Sequence, residues 1–410
     1  EMTSSLVGSE MCIRDRRNQV FQKIIEDLDF AIQWLPEAGS EEANRLNKDI
    51  ARHVKARFCL NEGTHYKYHD ELEYASEAEK WLQMAATESD KLITSGRYEI
   101  YNTGHPQEDY FNMYRIDDKS DLKEAVLYVD YKTNIREHNM AAAGREAGCG
   151  FSKSFVESFL CSDGLPISLS NKYLGDETMR KETANRDPRL KQLILTNDFP
   201  TNVTDDLKDS TFVVNEDEFI TQHCFTGYRP IKGFNPIYSQ ALYMKSSFDG
   251  IAYRYAETLL INAEAKAELN TITNADLDRT VNQLRDRVGM PHLTVNVGFT
   301  DPKWPDWGYS LSPVLQEIRR ERCIELAGEG FRFNDLKRWK AGKLLNNVLT
   351  YVGKRKPDGN LAIVYPNYTN PDLSYQAGKS RTWEDKMYLY PIPTGELQRN
   401  PQLLPQNPGW

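Results

Sequence analysis

Two histidines, His65 and His69, stand one helical turn apart with Asp70 and Glu73 just beyond, the spacing by which a helix offers two imidazoles to a metal ion. Zinc peptidase chemistry needs the H-E-x-x-H order, whose inner glutamate activates water, and a third ligand. The sequence supplies neither, so the pair reads as a solvated helix end and no metal is assigned. Adjacent acids such as Asp117/Asp118 and Glu216/Asp217/Glu218 contain the groups glycosidases use. That chemistry depends on a carboxylate separation of about 5 to 10 Å across the scissile bond, which runs of acids in an acidic chain do not specify. GCGFSK (Gly148 to Lys153) is too short for a Walker loop, and no Rossmann fingerprint or G-x-S-x-G elbow occurs. The sequence reads as a protein that binds without catalysing, and it implies no cofactor.

Charge narrows what is bound. With 51 Lys and Arg against 60 Asp and Glu the net charge is -9, which disfavours nucleic acid and anionic lipid as partners because phosphate binding needs concentrated cations. Six cysteines, Cys12, Cys59, Cys149, Cys161, Cys224 and Cys323, are scattered without a C-x-x-C pair, and most read as small buried hydrophobes. No apolar run approaches the roughly 20 residues needed to span a bilayer.

The elements that would position a site are helical pairs. RNQVFQKIIEDLDFAIQWLPEAG places Val20, Ile24, Leu28, Ala31 and Leu35 on one face, and Pro36 ends it. Apolar periods of three to four then mark stacked pairs at 48 to 95, 251 to 290 and 312 to 343, the first and second rich in the small residues that let helices approach closely. In the third, Ser312 to Lys343, Leu315, Ile318, Cys323 and Leu326 form a seam; Gly328 and Gly330 can break the pair, and Asn334 with Asp335 can cap the second helix. Glu325, Glu329, Arg332, Asp335 and Arg338 read as a buried or semi-buried ion-pair network fixing the packing. Between 101 and 250 the rhythm is lost, and runs such as EAVLYVDY and RLKQLIL read as strands or helix fragments among loops.

One stretch makes a resemblance specific. EIRRERCIELAGEGFRFNDLKRW resembles the signature of the SusD/RagB family, the surface-exposed glycan-binding lipoproteins of Bacteroidetes outer membranes. SFVESFLCSDGLPI (154 to 167), ANRDPRL (184 to 190), the pair beginning IAYRYAETLLINAEAKAEL, and the ending MYLYPIPTGELQRNPQLLPQNPGW resemble further landmarks in the family's order. Residues 1–16 do not match; they resemble translated adapter sequence and are set apart as a leader. Residues 17–410 are expected to form one SusD-like unit, mainly α, with tetratricopeptide-type stacked hairpins. Its helical scaffold would be 17–100 and 251–345, and its loop-rich ligand-binding lobe, with short strands, 101–250, followed by an extended segment 346–410. The resemblance further implies a signal peptide and lipidated cysteine that this chain lacks, the outer-membrane surface as location, and a SusC-like TonB-dependent transporter as partner.

Two functions follow. The resemblance implies capture of an oligosaccharide for that transporter; the alternative is a peptide-binding or assembly scaffold using the concave face of stacked helices. Sugars need flat rings exposed on loops, with amides or guanidinium groups beside them for hydroxyls. The candidates are therefore Trp304 and Trp307, in a proline- and aspartate-rich insertion, and Tyr228, Phe234 and Tyr238 with Arg229 and Asn235 as polar partners. Trp34, Trp81 and Trp339 lie on helical faces and are expected in the core, while Trp383 suits either role.

Overall fold

The computed structural model describes residues 15–40, 44–140, 150–197, 224–235, 237–363 and 381–410. Cys12, Cys149, the start of GCGFSK and the acids at 216–218 lie outside the described residues. Asn47 starts the first pair: its side chain accepts the Asp49 and Ile50 N–H groups at 3.0 and 3.1 Å, satisfying donors that a helix start leaves unpaired. From there α2 (Lys48–Tyr68) and α3 (Ala75–Thr94) pack through Ala56, Cys59 and Leu60 against Ala78, Trp81, Leu82 and Ala85. Preceding them, α1 (Arg17–Trp34) buries Phe21 and Ile25, and Phe21 meets Trp81 edge-on at 4.8 Å. The expected seam through Val20 and Ile24 is thus turned by one residue. An aromatic ring at Phe21 reaches the α3 indole where valine would not, and Val20 is left exposed.

The second pair differs at its start. Gly250–Arg254 is a strand, β2, antiparallel to β1 (Ala125–Val129), and the helix α4 (Tyr255–Glu268) begins only after it. Ile251 and Tyr253 fit a pleated ribbon as readily as a helix, and the β1 partner, far away in sequence, decides between them. The descending arm is likewise interrupted: Asn274–Asp278 and α5 (Val281–Arg287) are separate helices. In the third pair, Ser312 caps α6 (Pro313–Glu325) by accepting the Leu315 N–H at 3.4 Å, with Pro313 in the first turn. Leu315, Ile318 and Leu326 are buried as the seam requires, and Cys323 is half-buried. Gly328 (φ 75) and Gly330 (φ 84) carry the turn into α7 (Arg332–Arg338) in the left-handed region that glycine adopts without strain. The caps expected from Asn334 and Asp335 do not form: Asn334 is exposed and Asp335 faces inward onto arginines.

Helix α4 is the hub. Buried nearly all round, it contributes Ala256, Leu259, Leu260 and Ala263 to a core with α5 and α6, and Ile261 and Ala265 to the core of α2 and α3. Three carboxylates on it serve as sockets for basic groups on its neighbours. Glu257 takes His53 and Arg57 of α2; Glu264 takes Arg338 at 2.5 Å and the Trp339 indole N–H at 2.8 Å; Glu268 takes Arg319 and Lys67, both at 2.8 Å. A second network lies where α6 meets β2, α5 and the irregular part, with Glu325 receiving Arg254 and Arg287 at 2.6 Å and Arg189 at 2.9 Å. Glu329 completes it with Arg254 and Lys232.

The expected cluster is therefore buried and paired at Glu325, Asp335 and Arg338, and half-buried and paired at Glu329. Arg332 departs from it: it is exposed, lying over the Trp339 ring at 5.9 Å with no carboxylate among its described contacts. Its place at the first position of α7 turns it away from the seam.

The irregular part has its own core, built from Tyr110, Val156, Phe159, Leu190, Leu193, Tyr228 and Phe234 and closed by Ile324 of α6. The hairpin of β3 (Val352–Arg355) and β4 (Leu361–Ile363) packs on it so closely that a side chain at Gly353 would meet the Thr226 carbonyl oxygen at 2.0 Å. The neighbouring Lys354 N–H donates to that oxygen at 2.8 Å.

Candidate functional site

The histidines are not at a solvated helix end. Both are buried and stacked with ring centroids 4.0 Å apart. His69 uses one nitrogen on the Lys337 carbonyl (2.8 Å) and the other on Glu71 (2.9 Å). Burial, with Arg17 and His69 nearby, pushes the pKa of His65 down to about 2, so it stays neutral. The pair joins α2 to α7, and among the described residues no three His, Cys, Asp or Glu side chains are grouped to hold a metal.

Four of the candidate sugar contacts, Tyr228, Phe234, Asn235 and Trp307, are buried. Tyr228 is buried; its hydroxyl donates to Glu182 at 2.8 Å, and burial together with that carboxylate holds the phenol well above its ordinary pKa. Phe234 lies in the lobe core, and Asn235 is buried with its side-chain oxygen on the Ile237 N–H. Trp307 is buried as well, its indole N–H on Gln316 at 2.6 Å and its ring edge-on to Trp339 at 5.4 Å. The insertion that carries it folds down over α6 and α7 instead of standing in solvent. Trp304, at the margin of the same insertion, is half-buried and donates to Glu317 at 2.7 Å. Arg229 is half-buried, and its carbonyl accepts the Leu195 N–H at 2.8 Å.

The helical tryptophans divide. Trp81 and Trp339 are core, whereas Trp34 is 68% exposed beside Phe30, because α1 is covered on one side only. Trp383 is half-buried, seated so close to Gly342 that a side chain there would overlap the indole.

One candidate does stand in solvent. Tyr238 is 57% exposed at the start of a single helical turn, Tyr238–Ala241, and the chain leaving that turn presents Tyr243 at 71%. Met244 (φ 55) reverses the backbone just after it, and its N–H donates to the Asn139 side chain at 3.0 Å. Reciprocal bonds of 2.9 and 3.1 Å between His138 and Ser246 hold the same loop to its neighbour. The two phenols thus stand on an anchored turn, which continues into exposed Lys245, paired with half-buried Glu137 at 3.1 Å. Tyr243 was not singled out from sequence, where it is one of several aromatics in the same loop. The helical turn ends at Ala241, and Tyr243 follows it.

The landmark stretches fall inside a match to the SusD family model over residues 87–410. This chain belongs to the SusD family. A curated member, the SusD-like protein P2 of Formosa agariphila, is 24% identical over 406 residues; the match takes 96% of this chain but spans only 65% of that protein. Among solved structures, a SusD-like protein of Bacteroides fragilis superposes with a TM-score of 0.66 at 24% identity, covering 96% of this chain and 71% of its own. Another from the same species, a SusD-like carbohydrate binding protein, gives 0.64 at 21% identity over 95% and 71%. The SusD fold, mainly helical with a few short strands, is thereby shared along nearly the whole chain. Among the described residues no helix is long and apolar enough to cross a membrane.

Proposed function

We propose that this SusD-family chain captures a neutral oligosaccharide at the outer-membrane surface and hands it, uncleaved, to a SusC-like TonB-dependent transporter. The observation that carries the reading is the pair of exposed phenols, Tyr238 and Tyr243, on a tethered turn of the loop-rich part. Flat aromatic faces in water are what the apolar faces of pyranose rings stack on, and the adjacent Lys245 and Glu137 suit hydroxyls. Trp304, half-buried at the margin of its insertion, is a secondary contact. The scaffold is assigned to 17–100 and 251–345, and the ligand-bearing part to 101–250 with 346–410. The carbohydrate-binding description of one structural neighbour supports the sugar class, and a net charge of -9 argues against polyanionic cargo.

Incubation with a panel of neutral oligosaccharides tests the proposal. Saturable binding is expected at micromolar to millimolar strength, roughly -4 to -8 kcal/mol, since exposed stacking recovers little energy per ring. Affinity should hold between low and high salt, because a neutral ligand has no charge to screen. Chromatography should recover the sugar intact. Cleavage products, or no binding across the panel, would overturn it.

A further inference from the structure

The turn that carries Tyr238 and Tyr243 is closed at its base by Gln240. Its side-chain oxygen accepts the Ser247 N–H at 2.7 Å, its amide donates to the Ser247 hydroxyl at 3.0 Å, and its carbonyl accepts the Ser246 hydroxyl at 2.8 Å. That base is fastened to the segment 133–140. Thr133 donates to the Ser247 hydroxyl at 3.1 Å, the His138 backbone pairs with Ser246, Asn139 takes the Met244 N–H, and the His138 ring reaches the Phe248 carbonyl.

Of these groups only the ring titrates near neutral pH. Its Nε2 meets the Phe248 carbonyl at 2.8 Å, which can only accept, and its Nδ1 meets the Met140 N–H at 3.1 Å, which can only donate. Both bonds exist together in one form alone, the neutral imidazole with its proton on Nε2. A second proton, on Nδ1, would set two donors against each other and break the bond to Met140. That bond shapes the chain around Asn139, whose side chain holds Met244 in its left-handed conformation.

The surroundings favour the neutral ring. It is half-buried, with Tyr131 and Phe248 packed across it at centroid distances of 4.4 and 4.7 Å. Burial lowers its pKa, the Phe248 carbonyl raises it, buried Lys119 lowers it and Asp249 raises it, with a net fall from the ordinary value. The Asp249 carboxylate is already engaged by the Lys119 and Tyr131 N–H groups. Of the remaining charges nearby, Arg136 lies over the Tyr131 ring at 5.0 Å and Glu137 is paired with Lys245. Anchoring by the neutral ring is therefore complete above the ordinary pKa of about 6.5, and is lost as pH falls through the lower folded value.

We propose that His138 is a positioning residue that makes the tyrosine face pH-sensitive: the neutral ring holds 138–140 in the shape that pins Met244 and Ser246, and its protonation loosens the turn and weakens sugar binding. This rests on reading the two phenols as sugar contacts.

Two readouts keep the device and that reading apart. Without any sugar, hydrogen-exchange protection of the Met140, Met244 and Ser246 amides should fall as pH is taken from about 7.5 to about 5. In His138→Asn, whose amide oxygen can accept the Met140 N–H but does not titrate, protection should stay level. Nitrogen NMR should find the wild-type ring protonated on Nε2 at neutral pH. Calorimetry with the best ligand of the neutral panel should show wild-type affinity dropping about threefold to tenfold over the same range, in proportion to the fraction of anchored turn. His138→Asn should bind with no such dependence. If no sugar binds at any pH, the phenol reading fails and the exchange result alone decides the role of His138. Protection that persists in acid, that falls equally in His138→Asn, or a ring protonated on Nδ1 would overturn the switch. Protection that falls while sugar affinity stays constant would overturn its link to binding.

Discussion

Replacing Glu325 by glutamine should destabilise the protein by about 3 to 5 kcal/mol, the cost of stripping one partner from a buried ionic network. The size follows from position. One carboxylate receives Arg189 from the lobe, Arg254 from β2 and Arg287 from α5, all four side chains essentially without solvent. Removing its charge leaves three buried guanidinium groups to share Glu124, Glu321, Asp187 and the half-buried Glu329. Burial pushes the Glu325 carboxyl up in pKa, but Arg287, Arg254 and Arg189 outweigh it and hold the group well below the usual carboxylate range. Because the folded value lies below the unfolded value of about 4.3, the stabilisation is complete above that pH and declines as pH falls through the folded value. Denaturant titrations across acid pH should therefore show wild type losing stability below about pH 4, with a shallower loss in Glu325→Gln. Equal stability of the two proteins at neutral pH would remove the network from its structural role.

Trp307→Ala is expected to cost about 3 to 5 kcal/mol, the range for deleting a large buried aromatic. It would empty the space beside Trp339, unpair Gln316, and take away one of the faces over which Arg319 lies at 4.8 Å. Oligosaccharide affinity of the remaining folded fraction should be unchanged. Thermal unfolding alongside binding separates the outcomes: a stable variant that no longer binds sugar would return the indole to the ligand.

These two residues show where sequence sufficed and where it failed. Glu325 was legible because its helix repeats apolar residues every three to four positions, so a carboxylate flanking that seam has to be buried against a neighbour. The three helical pairs were legible for the same reason. Trp307 was misplaced because Pro302, Pro305, Asp306 and Gly308 give its segment the composition of an exposed loop. What buries it is Gln316 and Trp339 on two later helices, partners that no local pattern announces. Strand β2 was hidden similarly, its ribbon depending on a β1 partner more than a hundred residues earlier. Arg332 failed by one helical position: three residues before buried Asp335 it still faces water, since its turn is the first of α7. The tyrosine face was half visible: Tyr238 was named from its loop, whereas Tyr243 had no local pattern to set it apart from the other aromatics there.

The central claim, that the exposed phenols hold a neutral sugar, is tested most directly by calorimetric titration of the best ligand from the panel into wild type and into Tyr238→Ala/Tyr243→Ala. Both side chains lie outside the apolar cores, so the double variant should melt with wild type. Its affinity should drop by about tenfold to a hundredfold, the loss of two stacking contacts of roughly 1 kcal/mol each. Unchanged sugar affinity in a correctly folded double variant would contradict the account.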